Sequence, residues 1–341
     1  MLIALVTSQK IKKSHVKIKE NEVDIEGFLR SIPADKVYYC PNPGNAGDSA
    51  IATATYQLFD KIGLQYQRVG WNESFDATGK TVVYGGGGNL TKEYGHARTF
   101  IERHHGTAKQ VILLPHTIKG NADILHELGE NVYLFCRERR SFEWVNNHTN
   151  GTNVYLADDL AFRLNPQKLV GKEVFSGAKA VKRTSKTLLS STFNSFAVRC
   201  LNGSKVTQPT LKLREAVSAS KEVLGRLAGG GQSALYALRT DAERTTNSLP
   251  SSNIDVSQIF KYGTSPQSVA EKATAAMLSF FGAYDRVITN RLHGCILASL
   301  VGSRVDFYAN NYFKNREVYR YSIEGRFPTV RWCGEWKGEE K

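Results

Sequence analysis

From Lys36 onward, short apolar runs alternate with segments long enough to be helices. "KVYYC" precedes a helix-length segment from Ser49 to Ile62, "TVVYGGGGNL" precedes a polar amphipathic run from Thr91 to His105, and "QVILLPHT" precedes "NADILHELG". "VYLFCRERRSFEWV" and "NVYLADD" continue the series. Strand-length runs separated by helix-length segments predict βαβ units, in which strands pair in parallel and helices cover the sheet faces. A basic stretch from Asn165 breaks this rhythm, and after the glycine-rich "LAGGGQSA" a second series begins at "ALYALRTDAERT". It continues through a predicted helix from Ser265 to Phe281, with Ser265 as cap, Pro266 as first residue and Gly282 as stop, to "DRVITNRLHGCILASLVGSRVDFY" and an aromatic and basic tail. A chain of 341 residues exceeds what one core usually serves. The expectation is therefore two α/β domains, residues 1–164 and 165–341.

A net charge of +13 favours anionic partners such as phosphorylated metabolites, nucleic acid or an acidic membrane face. The excess is uneven: from Asn165 to Ala228 twelve Lys and Arg stand against Glu173, Glu215 and Glu222. Five scattered cysteines, with no C-x-x-C pair, suit reduced thiols in a cytosolic protein rather than a zinc site. The apolar start "MLIALVTSQKIKK" is short for a signal peptide, and no run approaches the ~18 apolar residues of a spanning helix. A cytoplasmic protein is expected, at most attached to the inner face of a membrane. No zinc finger or RRM signature supports nucleic-acid binding, and no nucleic-acid partner is expected.

The motifs gather at predicted strand ends. "PNPGNAGD" follows the strand "KVYYC", where ligands of open α/β sheets sit and where the next helix offers free amides. Asn45 and Asp48 are candidate ligand groups there, and a loop in which Asp48 merely caps the helix is the alternative. In "VVYGGGGNL", successive glycines including Gly86 and Gly87 allow close approach of a ligand or of another strand, and Asn89 follows them. Neither the dinucleotide fingerprint nor the P-loop pattern is present. His116 in "LLPHT" is either a structural group or one that faces the same sheet edge. The three arginines in "LFCRERRS" by themselves read as a solvated helix start; the alternative is a grip on carboxylate or phosphate, with Arg137, nearest the strand end, as the one pointing inward. In "VITNRLHG", Arg291 and His293 pair a fixed cation with a group able to exchange a proton, or else are structural. The tail "NNYFKNREVYRYS" brings Lys314 among aromatics and, by itself, reads as an exposed amphipathic helix.

In their order, "GNAGD", "GGGGN", "LPHT", "RERRS", "DDLAF", "LRTDAE", "NRLHG" and "NNYFKN" resemble the polysaccharide pyruvyltransferase family. The resemblance implies a GT-B-like architecture, two Rossmann-like domains facing across a cleft. It implies transfer of a pyruvate ketal from phosphoenolpyruvate to two hydroxyls of a sugar, on a cell-surface polysaccharide or its lipid-linked precursor, with release of phosphate. By position, Arg137, Arg291 and His293 would contact phosphoenolpyruvate, joined by Lys314, and Asp241 would be a base for an acceptor hydroxyl. The scheme needs no metal and no cofactor beyond the donor. A carboxylate and a phosphate on so small a skeleton call for clustered cations, and a histidinium is a suitable acid for the methylene carbon. A GT-B glycosyltransferase that uses a nucleotide sugar is the rival reading. The basic segment has no counterpart in the resemblance; it is either a solvated insertion or a means of holding the enzyme at an anionic membrane surface.

Overall fold

The alternation becomes two parallel sheets in the computed structural model, which describes residues 23–33, 36–171 and 234–338. A helix α1 (Ile25–Arg30) leads into the first sheet, formed by β1 (Val37–Cys40), β2 (Tyr66–Arg68), β3 (Thr81–Tyr84), β4 (Gly87–Leu90), β5 (Gln110–Ile118), β6 (Val132–Cys136) and β7 (Asn153–Leu156). Its helices are α2 (Ala46–Ile62), α3 (His96–His104), α4 (Ala122–Glu127), α5 (Arg139–His148) and the short α6 (Gln167–Val170). The strand order is β2-β1-β3-β5-β6-β7, with β4 paired to the far end of β5. The chain passes to opposite sides of β1 on leaving it, so the carboxyl ends of β1 and β3 flank a crevice of the kind that holds ligands in such sheets.

The second sheet has the order β11-β10-β9-β8, from β8 (Ala234–Ala237), β9 (Arg286–Thr289), β10 (Arg304–Phe307) and β11 (Val330–Trp332). It is accompanied by α7 (Val256–Ile259), α8 (Gln267–Phe281), α9 (Leu292–Leu300) and α10 (Lys314–Val318). The basic stretch lies, from residue 172 to 228, outside the described residues, as does Cys200. Cys40, Cys136, Cys295 and Cys333 are unpaired thiols.

The two sheets meet through α2 and α8, both rich in buried alanine, which lets helix backbones approach closely. Where polar groups enter this contact they are satisfied: Thr53 Oγ1 lies 2.9 Å from Thr274 Oγ1, and Ser49 Oγ donates to the Gly263 carbonyl at 2.9 Å. Tyr56, Phe59, Phe280 and Phe281 belong to one apolar cluster that runs from the first sheet into the second. Each such side chain contributes about 1.5–3 kcal/mol on burial.

Three local expectations change. The helix after "PNPGNAGD" begins at Ala46, earlier than expected, because Asn45 and Asp48 together cap it. β5 runs through Pro115 and His116 to Ile118, its register with β6 shifting between Leu113 and His116; a proline lacks the donor a regular ladder needs. The tail is no exposed helix: Lys314 is 6% exposed, Asn315 is fully buried, and the turn that follows α10 packs back on the first half, where Ser322 Oγ donates to Asp158 Oδ1 at 2.7 Å.

Candidate active site

Both sheets point strand ends at one cleft of about 270 Å³. From the first half it is lined by the β1–α2 loop with Asn45 and Asp48, by Gly88 and Asn89 of β4, by Tyr94 and His96, and by Arg137 just beyond β6. From the second half come Arg239, Asp241, Glu243, Gln258, Lys261, Arg291, His293 and Lys314.

The first wall is a closed hydrogen-bond system. Asn45 Oδ1 accepts from Gly47 N at 2.8 Å while Asp48 Oδ2 accepts from Asn45 N at 2.9 Å, a reciprocal capping box. Asp48 Oδ1 accepts from Asn42 Nδ2 at 2.9 Å, and Asn42 is bonded in turn to Asn89 and to the Tyr84 hydroxyl. Burial raises the Asp48 pKa, because an ionised carboxylate loses its water there.

Gly86, Gly87 and His116 do not line the cleft but lie behind it. A Cβ on Gly86 would come within 2.9 Å of the Pro115 carbonyl, and Gly87 has φ +153° with Asn42 Nδ2 where its side chain would be. These glycines let β4, β5 and the β1 loop pack closely, and of the four only Gly88 lines the cleft. His116 is fully buried, with Nε2 2.9 Å from Asn89 Oδ1. Burial, helped by the Arg137 charge, pushes it down to about 3. It is a neutral support for Asn89 at ordinary pH, not a proton carrier.

Every guanidinium of the inner cleft is met by a carboxylate. Arg137 donates Nε–H to Thr117 Oγ1 at 2.9 Å and Nη1–H to Asp159 Oδ2 at 2.6 Å, both partners buried. The same Asp159 oxygen lies 3.3 Å from His293 Nε2, so one carboxylate joins an arginine of the first half to the histidine of the second. Burial would raise the Asp159 pKa, but the charges of His293 and Arg137 and the Ala161 amide outweigh it and hold the carboxyl well below its usual range.

Arg291 makes a two-point pair with Asp255, 2.6 Å at Nε and 2.5 Å at Nη2, and Nη2 also reaches Asp241 Oδ2 at 2.9 Å. Asp241 takes a second two-point grip from Arg239 at 2.9 and 3.1 Å. Against its burial, these arginines hold the Asp241 pKa well below the carboxylate range. A carboxylate so stabilised is a weak base, and Asp241 anchors both arginines.

Lys314 Nζ donates to Glu243 Oε2 at 2.5 Å. Burial, reinforced by the Arg239 and Arg137 charges, pushes the ammonium down to about 8. Against burial, the Lys314 and Arg239 charges bring Glu243 down to about 2. Lys261 lines the cleft with its residue exposed. No side chain caps α9, the helix that carries His293, so its first amides are left for a ligand or for water.

Asp159, Arg239, Glu243 and Asp255 were missing from the sequence-based set. Asp159 lies in "DDLAF" and Arg239 and Glu243 in "LRTDAE", runs that signal a motif without saying which group each residue faces. Among the described residues no group of three or more His, Cys, Asp or Glu could hold a metal ion, and no helix is long and apolar enough to cross a membrane.

A family model described as polysaccharide pyruvyl transferase matches residues 45–305, more than half of the chain. The chain belongs to the polysaccharide pyruvyl transferase family. It is 25% identical over 340 residues to a Bacillus subtilis (strain 168) protein named "Putative pyruvyl transferase EpsO", covering 94% of each. Among solved structures it resembles a functionally uncharacterised protein from Klebsiella pneumoniae subsp. pneumoniae NTUH-K2044, at TM-score 0.66 and 27% identity over 94% of this chain and 98% of that one. The matched family segment carries the cleft residues from Asn45 to His293. The protein is a pyruvyltransferase, with a polysaccharide acceptor implied by its family.

Proposed function

We propose that the enzyme moves a pyruvyl group from phosphoenolpyruvate to two hydroxyls of one sugar on a cell-surface glycan or its lipid-linked precursor, releasing phosphate. The two halves would then work as a GT-B-like pair, with the acceptor against the β1–α2 loop and the donor against α9. The observation that carries this reading is the convergence of Arg137, Arg291, His293 and Lys314, drawn from both halves, on one small cleft in a chain of this family.

Because Arg137 and Arg291 are already oriented by buried carboxylates, they offer fixed N–H directions to the donor's carboxylate and phosphate. His293, as imidazolium, would give its proton to the donor methylene carbon. The resulting oxocarbenium-like carbon accepts one sugar hydroxyl, whose proton restores the imidazolium, and attack by the second hydroxyl closes the ketal and expels phosphate, which carries away that hydroxyl's proton. Asp241 holds Arg239 and Arg291 in place. No separate base is assigned.

The test is thermal unfolding with phosphoenolpyruvate and, separately, with a panel of nucleotide sugars. A ligand at about 100 times its Kd stabilises the native state by about 2.7 kcal/mol, a measurable rise in Tm. A rise with phosphoenolpyruvate alone is the expected result. A rise only with a nucleotide sugar would overturn the donor assignment.

A further inference from the structure

Nothing in α2 itself requires glycine at position 47. Gly47 is the second residue of the helix, is buried, and is not among the glycines with positive φ. Alanine would suit that backbone better. The constraint comes from the other half of the molecule: a Cβ on Gly47 would lie 2.4 Å from Nδ1 and 2.9 Å from Cγ of His293, and 3.0 Å from Asn45 Oδ1. The opposite ring nitrogen of His293 faces Asp159 Oδ2 at 3.3 Å. One edge of the imidazole therefore rests on a bare helix turn and the other on a buried carboxylate, both supplied by the first half.

We infer that Gly47 is a positioning residue for the proposed site: with Asp159 it forms a seat that fixes the His293 ring beside Arg137. The inference rests on the reading in which His293 faces the donor, and extends it to how the ring is aimed. An ionised carboxylate only accepts hydrogen bonds, so the His293 nitrogen facing Asp159 carries its hydrogen. A methyl group at position 47 drives the ring away from Asp159 and out of line with Arg137. The glycine of "GNAGD" thus makes room for a histidine, where the sequence alone left a ligand or a simple cap.

The test compares wild type, Gly47→Ala, His293→Ala and the double variant, by thermal unfolding and by calorimetric titration with phosphoenolpyruvate. Gly47→Ala is expected to lower Tm when His293 is present and to raise it by about 1–2 °C, the gain in helix propensity, when His293 has been removed. It is expected to weaken phosphoenolpyruvate binding tenfold or more in the wild-type background and to add no loss to His293→Ala. A rise in Tm in both backgrounds, or an equal fall in both, overturns the seat, since the contact with Asn45 persists in both. Affinity losses that multiply in the double variant overturn the positioning role. If wild type does not bind phosphoenolpyruvate the donor assignment fails, and the reversal of sign in Tm alone decides the seat. Should His293→Ala fail to fold, His293→Ser makes the same room.

Discussion

Two helices begin at the cleft, and they begin differently. α2 closes its own N-terminus: Asn45 and Asp48 bond each other's backbone, and Asn42, Asn89 and Tyr84 extend the network behind them. α9 starts from Arg291 with no side-chain cap, while the Arg291 guanidinium is tied to Asp255 and Asp241. In the first case the loop's polar groups are used up on one another, so the loop acts as a frame. In the second the backbone donors are free and the charge is fixed, which suits an anion that comes and goes. Glycine-rich, turn-forming sequence therefore marks the more closed wall, and an unremarkable "NRLHG" marks the open one.

The contrast can be broken most severely at Arg291. Arg291→Ala leaves Asp255 without its buried cation and Asp241 with Arg239 alone, and denaturant unfolding is expected to show a loss of about 3–5 kcal/mol together with loss of any phosphoenolpyruvate-induced rise in Tm. A variant of near wild-type stability would mean that the carboxylates are not held as described.

A smaller effect belongs to Glu138, the buried cap of α5 on the closed side, whose Oε2 accepts from Ser141 N at 2.8 Å. Burial pushes it up to about 7, against the hydrogen bonds of Ser141. Its folded-state pKa is raised, so its contribution is complete below the unfolded value of about 4.5 and is lost as pH rises through about 7. Relative to Glu138→Gln, wild type should lose on the order of 3 kcal/mol of unfolding free energy between those limits; parallel curves for the two proteins would refute it. The mildest change is Asn45→Ala. It removes half of the capping box at about 1 kcal/mol, and the Tm rise expected with phosphoenolpyruvate should survive, because the proposed donor position is against α9 and not against this wall. Loss of that response would erase the distinction between the two helix starts.

Much of the architecture was legible because parallel strands are written as short apolar runs, and those around "VYYC", "VILLP" and "VYLFC" fall where β1, β5 and β6 form. β4 was not, since its glycines hide a strand that exists only by pairing with the far end of β5. Of the expected site residues, Arg137, Arg291, His293 and Lys314 come together in the cleft because each follows, or lies soon after, the carboxyl end of a strand. Their carboxylate partners were invisible: Asp159 reaches His293 across 134 positions and Asp255 reaches Arg291 across 36, separations that no local pattern encodes. The burial of Lys314 was likewise unreadable, because the tail's helical pattern does not show that Lys314 meets Glu243 or that the following turn meets Asp158.

The stitch between Ser322, Arg326 and Asp158 bears on the order of events during translation. Every strand of the first sheet is synthesised before the first strand of the second. The cleft comes later, because Lys314 and the residues that clasp Asp158 emerge near the end of the described chain. The set of cleft-lining side chains is therefore complete only once synthesis has passed Lys314, the last of them, and the clasp on Asp158 only once it has passed Arg326.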